Sequence, residues 1–284
     1  MKVIRFLFLV RTAAILCLLA APRLCHPDET PSDNLAQAAS ARLLIRANGE
    51  APWGGRTVDV EKVLYSAADQ LWRYFPQRQL PTLLVEPKGG PITLYRRGPN
   101  GEIQVRLNTG NRLWAQHAYQ FAHEFGHVLA NYREGEHRNK WFEESICELA
   151  SLFALRRMAE RWQESPPYPN WKDYSAALAK YAQERIEPAR LPEGTTLAQW
   201  YQQHAAALAA NPVMRDKNTV VATALLPLFE QRPEHWEAIG YLNLDRPDSS
   251  QTFRAYLVQW QSHAPASHQP FISDVARQFG LDLR

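Results

Sequence analysis

Downstream of Arg112 the apolar residues of this chain recur almost wholly at helical spacing. The pattern predicts helices at about 112–132, 142–164, 171–187, 195–210, 218–231, 234–242, 250–262 and 270–279. Pro166, Pro167, Pro169, Pro188, Pro192 and Pro212 fall in the gaps, where a residue without a backbone N–H does least harm. Upstream, Val60, Val63, Leu64, Ala67, Leu71 and Phe75 mark one more helix over 58–75, which Pro76 stops. Three short extended segments lie between, at 82–86, 92–96 and 103–107. The turn cluster Gly98-Pro99-Asn100-Gly101 joins the last two as a hairpin. The fold class that follows is α+β, mostly helical: a small antiparallel or mixed sheet, then a helical body.

The amino-terminal region reads differently. Lys2 and Arg5 precede an apolar stretch that runs to Ala21, broken only by Arg11, with small residues at Ala20 and Ala21. This is the pattern of a secretory signal peptide over 1–21, and it is too short and too charged for a membrane span. Membrane association is expected only if that segment stays uncleaved. Residues 22–56 are rich in Pro, Ala, Asn and Gly and read as a flexible segment, with an amphipathic run over 35–45 able to form a helix. Beyond it the chain divides into a core over 57–164 and a helical subdomain over 165–284. Cys17 leaves with the signal, and Cys25 and Cys147 do not make a disulfide framework, so the mature protein relies on its core. Export to a bacterial periplasm or the extracellular space is the expected location.

The formal net charge is +3, but Lys2, Arg5 and Arg11 lie in the signal, and without them the charge is zero. A nucleic-acid binder needs an excess of basic surface to displace phosphate counterions, so no nucleic-acid partner is expected.

Chemistry concentrates in two helices. In His123-Glu124-Phe125-Gly126-His127, the two histidines are four apart and share a helix face, so their rings can converge on one point. Imidazole nitrogen suits Zn²⁺, which takes three protein ligands and keeps an open position when catalytic. Glu124 is too near His123 to be a co-facial ligand; it reaches a water at the open position and can take its proton. In the next helix Glu144 and Glu148 are again four apart, among Ile146, Leu149, Leu152 and Phe153. Two carboxylates aimed into apolar surroundings repel unless a cation or donors lie between them. Glu144 can therefore complete a His-His-Glu site, and Glu148 can accept the spare N–H of a ligand histidine. The competing reading is a solvated acidic face that includes Glu143; the flanking Trp141-Phe142 argues against it.

These segments resemble the gluzincin metallopeptidases. The similarity rests on His-Glu-Phe-Gly-His followed by Trp-Phe-Glu-Glu-Ser-Ile-Cys-Glu over 141–148, which is similar to the Trp-Phe/Leu-x-Glu-Gly-x-x-Glu segment of peptidase-MA-like families. It covers about 101–153 and departs from the pattern at Ser145, where those families carry glycine. The resemblance implies a zincin-type active-site helix, one zinc ion on His123, His127 and Glu144, Glu124 as general base, and Glu148 as the acid that orients a ligand. It also implies an edge strand just before that helix, so that Ile103, Val105 and Leu107 would bind extended substrate backbone to backbone. The metzincin variant is excluded because Ala130 and Arg133 stand where it needs glycine and histidine.

A donor for the oxyanion of the tetrahedral intermediate should come from later helices. Arg215 and Asn218 open one of them and are the leading choices; Tyr168, Tyr174, Tyr181, Tyr201 and His204 are also eligible. His117 is off the ligand face, and His137 follows a turn and is expected on the surface. The leading function is an exported zinc peptidase acting on a peptide or protein substrate, with an endopeptidase or narrow processing role favoured. Two alternatives remain open: a zinc-binding module without turnover, and a structural helical domain that binds no metal.

Overall fold

The computed structural model describes residues 43–283 except Glu136 and Pro247. The segment 1–21 expected to be a signal peptide, Cys17, Cys25 and most of the run over 35–45 lie outside the described residues. The architecture is mostly helical with a small mixed sheet of four strands, β1 (Ile45–Ala47), β2 (Leu83–Glu86), β3 (Ile92–Thr93) and β4 (Ile103–Arg106), in the order β1-β2-β4-β3. β1 and β2 are parallel, as are β2 and β4; only β3 runs antiparallel to its neighbour.

The segment before residue 57 is not loose chain from Leu43 on. Leu43, Ile45 and Ala47 are buried while Leu44 and Arg46 face out, the period-2 alternation of a strand rather than a helix. Its outer edge is covered by the first helix, α1 (Thr57–Trp72): the Tyr65 hydroxyl accepts from the Ile45 amide at 2.8 Å, and Glu61 accepts from the Ala47 amide at 3.0 Å. The extended run expected over 92–96 pairs as a strand only at Ile92–Thr93.

β4 is an interior strand, paired to β2 on one side and β3 on the other, so its backbone is not available for substrate. Ile103, Val105 and Leu107 are fully buried beneath the sheet. Their assignment to substrate binding is therefore wrong. The hairpin after β3 folds back so that β3, the earlier strand, takes the open edge.

After the sheet come α2 (Trp114–Leu129) and α3 (Lys140–Trp162), then α4 (Ser175–Ile186), α5 (Leu197–Ala210), α6 (Arg215–Gln231), α7 (Phe253–His263) and α8 (Gln269–Gln278). Tighter 3₁₀ turns occupy Pro169–Tyr174 and Pro233–Tyr241, where continuous helices were expected to begin or run. α3 is the central element, buried on nearly every face between α1, α2, α4 and α6. One hydrophobic cluster runs from Leu43 to Leu283, so 57–164 and 165–284 share a core. Trp141 and Phe142 anchor the start of α3 in it, packed against Phe253, Phe279 and Trp260 of the carboxy-terminal region. Among the described residues no helix is long and apolar enough to cross a membrane.

The carboxy end of α2 is clamped. Arg78 donates to the carbonyls of Leu129 (2.5 Å) and Val128 (2.9 Å) and to Asn131 Oδ1 (2.8 Å), placing a cation on the last carbonyls of the helix, where its dipole is negative. Asn131 takes the left-handed conformation that ends the helix and donates to the carbonyls of Gly240 and Leu242.

Candidate metal centre

α2 and α3 approach closely because position 126 has no side chain. A Cβ there would stand 3.0 Å from the Cys147 Cα and 3.2 Å from its Sγ, tight enough that one helix would have to give. The contact brings the glutamates of α3 under the histidines of α2. His123 and His127 lie one turn apart with ring centroids 5.2 Å from each other. Their Nε2 atoms converge on a single oxygen, Glu144 Oε2, at 3.3 and 3.7 Å. The three candidate ligand atoms lie within 4.8 Å of one another, a spacing that one cation can bridge.

The other nitrogen of each ring is also held. His127 Nδ1 lies 2.7 Å from Glu143 Oε1, and His123 Nδ1 lies 3.5 Å from Glu148 Oε2. The glutamates are fixed in turn. Glu143 accepts from Asn243 Nδ2 at 2.8 Å, and Asn243 Oδ1 accepts from the Tyr256 hydroxyl at 2.6 Å. Glu148 accepts from the Tyr119 hydroxyl; Thr219 Oγ1 lies 3.3 Å from it but donates to the Arg215 carbonyl at 2.7 Å. Each histidine thus presents Nε2 to the same point with a carboxylate behind it, an arrangement that fixes ring orientation and raises ligand basicity in metal sites. Two nitrogens and one carboxylate oxygen are donors that fit zinc.

Electrostatics asks for positive charge at this point. Burial presses His123 toward its neutral form, yet hydrogen bonds to Glu144 and Glu148 and the charge of Glu124 outweigh it and lift the imidazole to about 10. His127 moves the same way: burial opposes, and Glu143 and the neighbouring carboxylates prevail. Burial alone would raise Glu144, but the bond from His123 and the charges of His127 and Lys140 hold it down at about 2. A divalent cation on the two Nε2 atoms and Glu144 would meet the same demand with both histidines neutral.

Glu124 lies beside the cluster, 3% exposed, and lines the same cleft of about 1010 Å³ as the three candidate ligands. Thr93 Oγ1 of β3 donates to it, 2.9 Å from Glu124 Oε2 and 3.0 Å from the Glu124 carbonyl. Of the donors named from sequence, Tyr181, Arg215 and Asn218 line this cleft. Arg215 is exposed in the first turn of α6. Asn218 is buried and donates to the Pro212 carbonyl at 2.8 Å, so its amide nitrogen is committed to the fold. Tyr174 receives the Ala115 amide, Tyr201 packs on Trp141 and Phe253, and His204 packs on Trp200; none of them lines the cleft. Ser145 fits where glycine was the pattern because its hydroxyl turns back onto the Trp141 carbonyl at 2.8 Å.

His117 is buried between Trp53 and Trp114, with Nδ1 on the Leu113 carbonyl, off the cluster as expected. His137 is half-buried against Tyr256 rather than fully on the surface. Sequence reasoning missed Glu143, Asn243, Tyr119 and Thr93. Two of these had a signal: a ligand histidine needs an acceptor behind it, so two histidines call for two acids, and Tyr119 is four residues before His123 on the same face. Asn243 and Thr93 had none. No family model matches the chain, and no curated protein or solved structure matches it.

Proposed function

We propose that this protein is an exported zinc-dependent peptidase of gluzincin type. The observation that carries the reading is the convergence of His123 and His127 Nε2 on one oxygen of Glu144, with a further buried carboxylate, Glu124, on the same cleft. Zinc bound there supplies a Lewis acid that polarises a carbonyl and lets water lose a proton near neutral pH. The chain does the rest. Glu124 takes the proton from water and returns it to the departing amine. Glu143 and Glu148 hold the two imidazoles in orientation. β3, as the open edge of the sheet beside the cleft, offers backbone groups to an extended peptide in the role first expected of β4. Arg215, exposed on the cleft, is the candidate to stabilise the oxyanion. Export rests on the signal-like pattern over 1–21.

The test is Glu124→Gln. The variant should keep one zinc per chain and lose at least about 100-fold in kcat for peptide hydrolysis, the scale of a general base. Retained zinc with activity near that of the unaltered protein would refute the mechanism. Retained zinc with no hydrolysis in either protein would favour the binding module without turnover.

A further inference from the structure

Thr93 meets two parts of the cleft at once. Its place in the ladder fixes its backbone. Opposite residues of an antiparallel pair alternate between exchanging hydrogen bonds and exchanging none. Ile92 faces Arg106, Thr93 faces Val105, and the next residue, Leu94, donates its amide to the Gln104 carbonyl at 2.9 Å. Leu94 therefore belongs to the bonded class, and Thr93 belongs to the other. Its N–H and C=O point away from β4, out of the open edge of the sheet. Its side chain points inward, 7% exposed, and the hydroxyl lies 2.9 Å from Glu124 Oε2 and 3.0 Å from the Glu124 carbonyl.

A hydroxyl has one hydrogen, and here both acceptors within reach belong to the same residue. Either acceptor ties β3 to α2 at the position of Glu124, and donation to Oε2, the shorter contact, selects one arrangement of the Glu124 carboxylate. A glutamate side chain has three rotatable bonds, and a base that is not held spends much of its time out of reach of the proton it must take.

We propose that Thr93 is a positioning residue, which holds the Glu124 carboxylate through its hydroxyl while its own backbone amide and carbonyl pair with the backbone of an extended peptide. This rests on the zinc-peptidase reading given above. Its consequence is specific: the residue that registers the substrate strand also registers the base, so a peptide docked on β3 and the Glu124 carboxylate share one reference point.

Thr93→Val removes the hydroxyl and keeps the branched shape and the backbone; Thr93→Ser keeps the hydroxyl and removes a methyl. With zinc content equal in all three proteins, Thr93→Val should lower kcat for peptide hydrolysis by about 10–100-fold, part of what a general base contributes. KM should stay within about twofold, because the backbone groups remain, and Thr93→Ser should recover most of the loss. A second readout needs no turnover. In the Co²⁺-loaded protein at one fixed pH, the visible spectrum should change in Thr93→Val in the direction seen for Glu124→Gln, and return in Thr93→Ser. An unchanged kcat in Thr93→Val, or a Thr93→Ser as slow as Thr93→Val, would overturn the proposal. If the unaltered protein hydrolyses no peptide, the peptidase reading fails by itself. The cobalt spectra then decide alone, and identical spectra for Thr93→Val and the unaltered protein would overturn the role of Thr93.

Discussion

Removing the carboxylate of Glu143 tests whether the support behind His127 matters as much as the ligands in front of it. Glu143 is 4% exposed, and its Oε1 lies 2.7 Å from His127 Nδ1. A buried hydrogen bond to a charged group is worth about 1.5–3 kcal/mol, and about 1.4 kcal/mol is tenfold in an equilibrium constant. Glu143→Ala should therefore weaken zinc binding about 10–100-fold, with all three candidate ligands in place. Glu143→Gln should recover little of this. If the amide oxygen accepts from His127, the amide nitrogen faces Asn243 Nδ2, donor against donor. Asn243 is not free to turn, since its Nδ2 also donates to the Ala130 carbonyl at 3.1 Å and its Oδ1 accepts from Tyr256. The assay is competition for zinc against a chromophoric chelator, with thermal unfolding of the zinc-free variants as the check on folding. Glu144→Ala, which deletes a candidate ligand, is the reference and should lose zinc at concentrations where Glu143→Ala still holds it. A zinc affinity of Glu143→Ala within twofold of the unaltered protein would refute the reasoning, because His127 would then be oriented by something else.

Two further outcomes follow from groups around the centre. Arg78→Met keeps most of the apolar stem but deletes three hydrogen bonds at the end of α2, and should cost about 3 kcal/mol of stability in urea unfolding; a loss under about 1 kcal/mol would show that water replaces the guanidinium without penalty. The pH dependence of the zinc-free protein has a definite sign. His123 is raised to about 10, so its contribution to stability is complete below its ordinary 6.5 and is lost as pH rises toward 10. Glu144, lowered to about 2, contributes above its ordinary 4.5 and loses that contribution as pH falls through 2. Melting temperature without zinc should therefore be highest between those ordinary values and fall on the alkaline side, and zinc should abolish the alkaline fall. A zinc-free protein that gains stability between pH 7 and 9 would contradict it.

The parts of this molecule legible in the sequence are those set by local spacing. α1, α2 and α3 follow from the i, i+3, i+4 repeat of their apolar positions, and the co-facial pairs His123/His127 and Glu144/Glu148 follow from the same geometry. What failed depended on how distant segments meet. Ile103–Arg106 and Ile92–Thr93 are both short and half polar, and nothing within either strand says which one is interior; the order is decided by β2 pairing with the later strand. Period-2 alternation over Leu43–Ala47 exists only in the burial: Leu44 is apolar yet exposed, so Leu43-Leu44-Ile45 reads as an apolar run that continues the helical pattern before it. Asn243 is invisible for the same reason: its role exists only because the chain after Pro233–Tyr241 returns to the end of α2. Asn218 was placed on the right helix, but its commitment to Pro212 is a contact that only the folded turn reveals.

The supports of the two histidines come from different directions, and this argues that the centre belongs to the whole chain. Behind His123 stands Glu148, held by Tyr119 of the same helix as that histidine, whose ring packs against Tyr181 and Arg185 of α4. Behind His127 stands Glu143, held by Asn243, which is held by Tyr256 of α7. Each chain of contacts ends in a residue beyond 165. The candidate ligands themselves all lie within 57–164, the span that carries the motif, yet of the donors to Glu143 and Glu148 that span supplies only Tyr119. It would also expose Trp141 and Phe142, now at most 1% exposed against Phe253 and Phe279, at the very start of the helix that carries Glu143, Glu144 and Glu148. A buried carboxylate without its donors is costly and reorients or takes a proton. The carboxy-terminal helices are therefore part of what keeps Glu143 and Glu148 aimed behind the two histidines, a task the motif alone cannot perform.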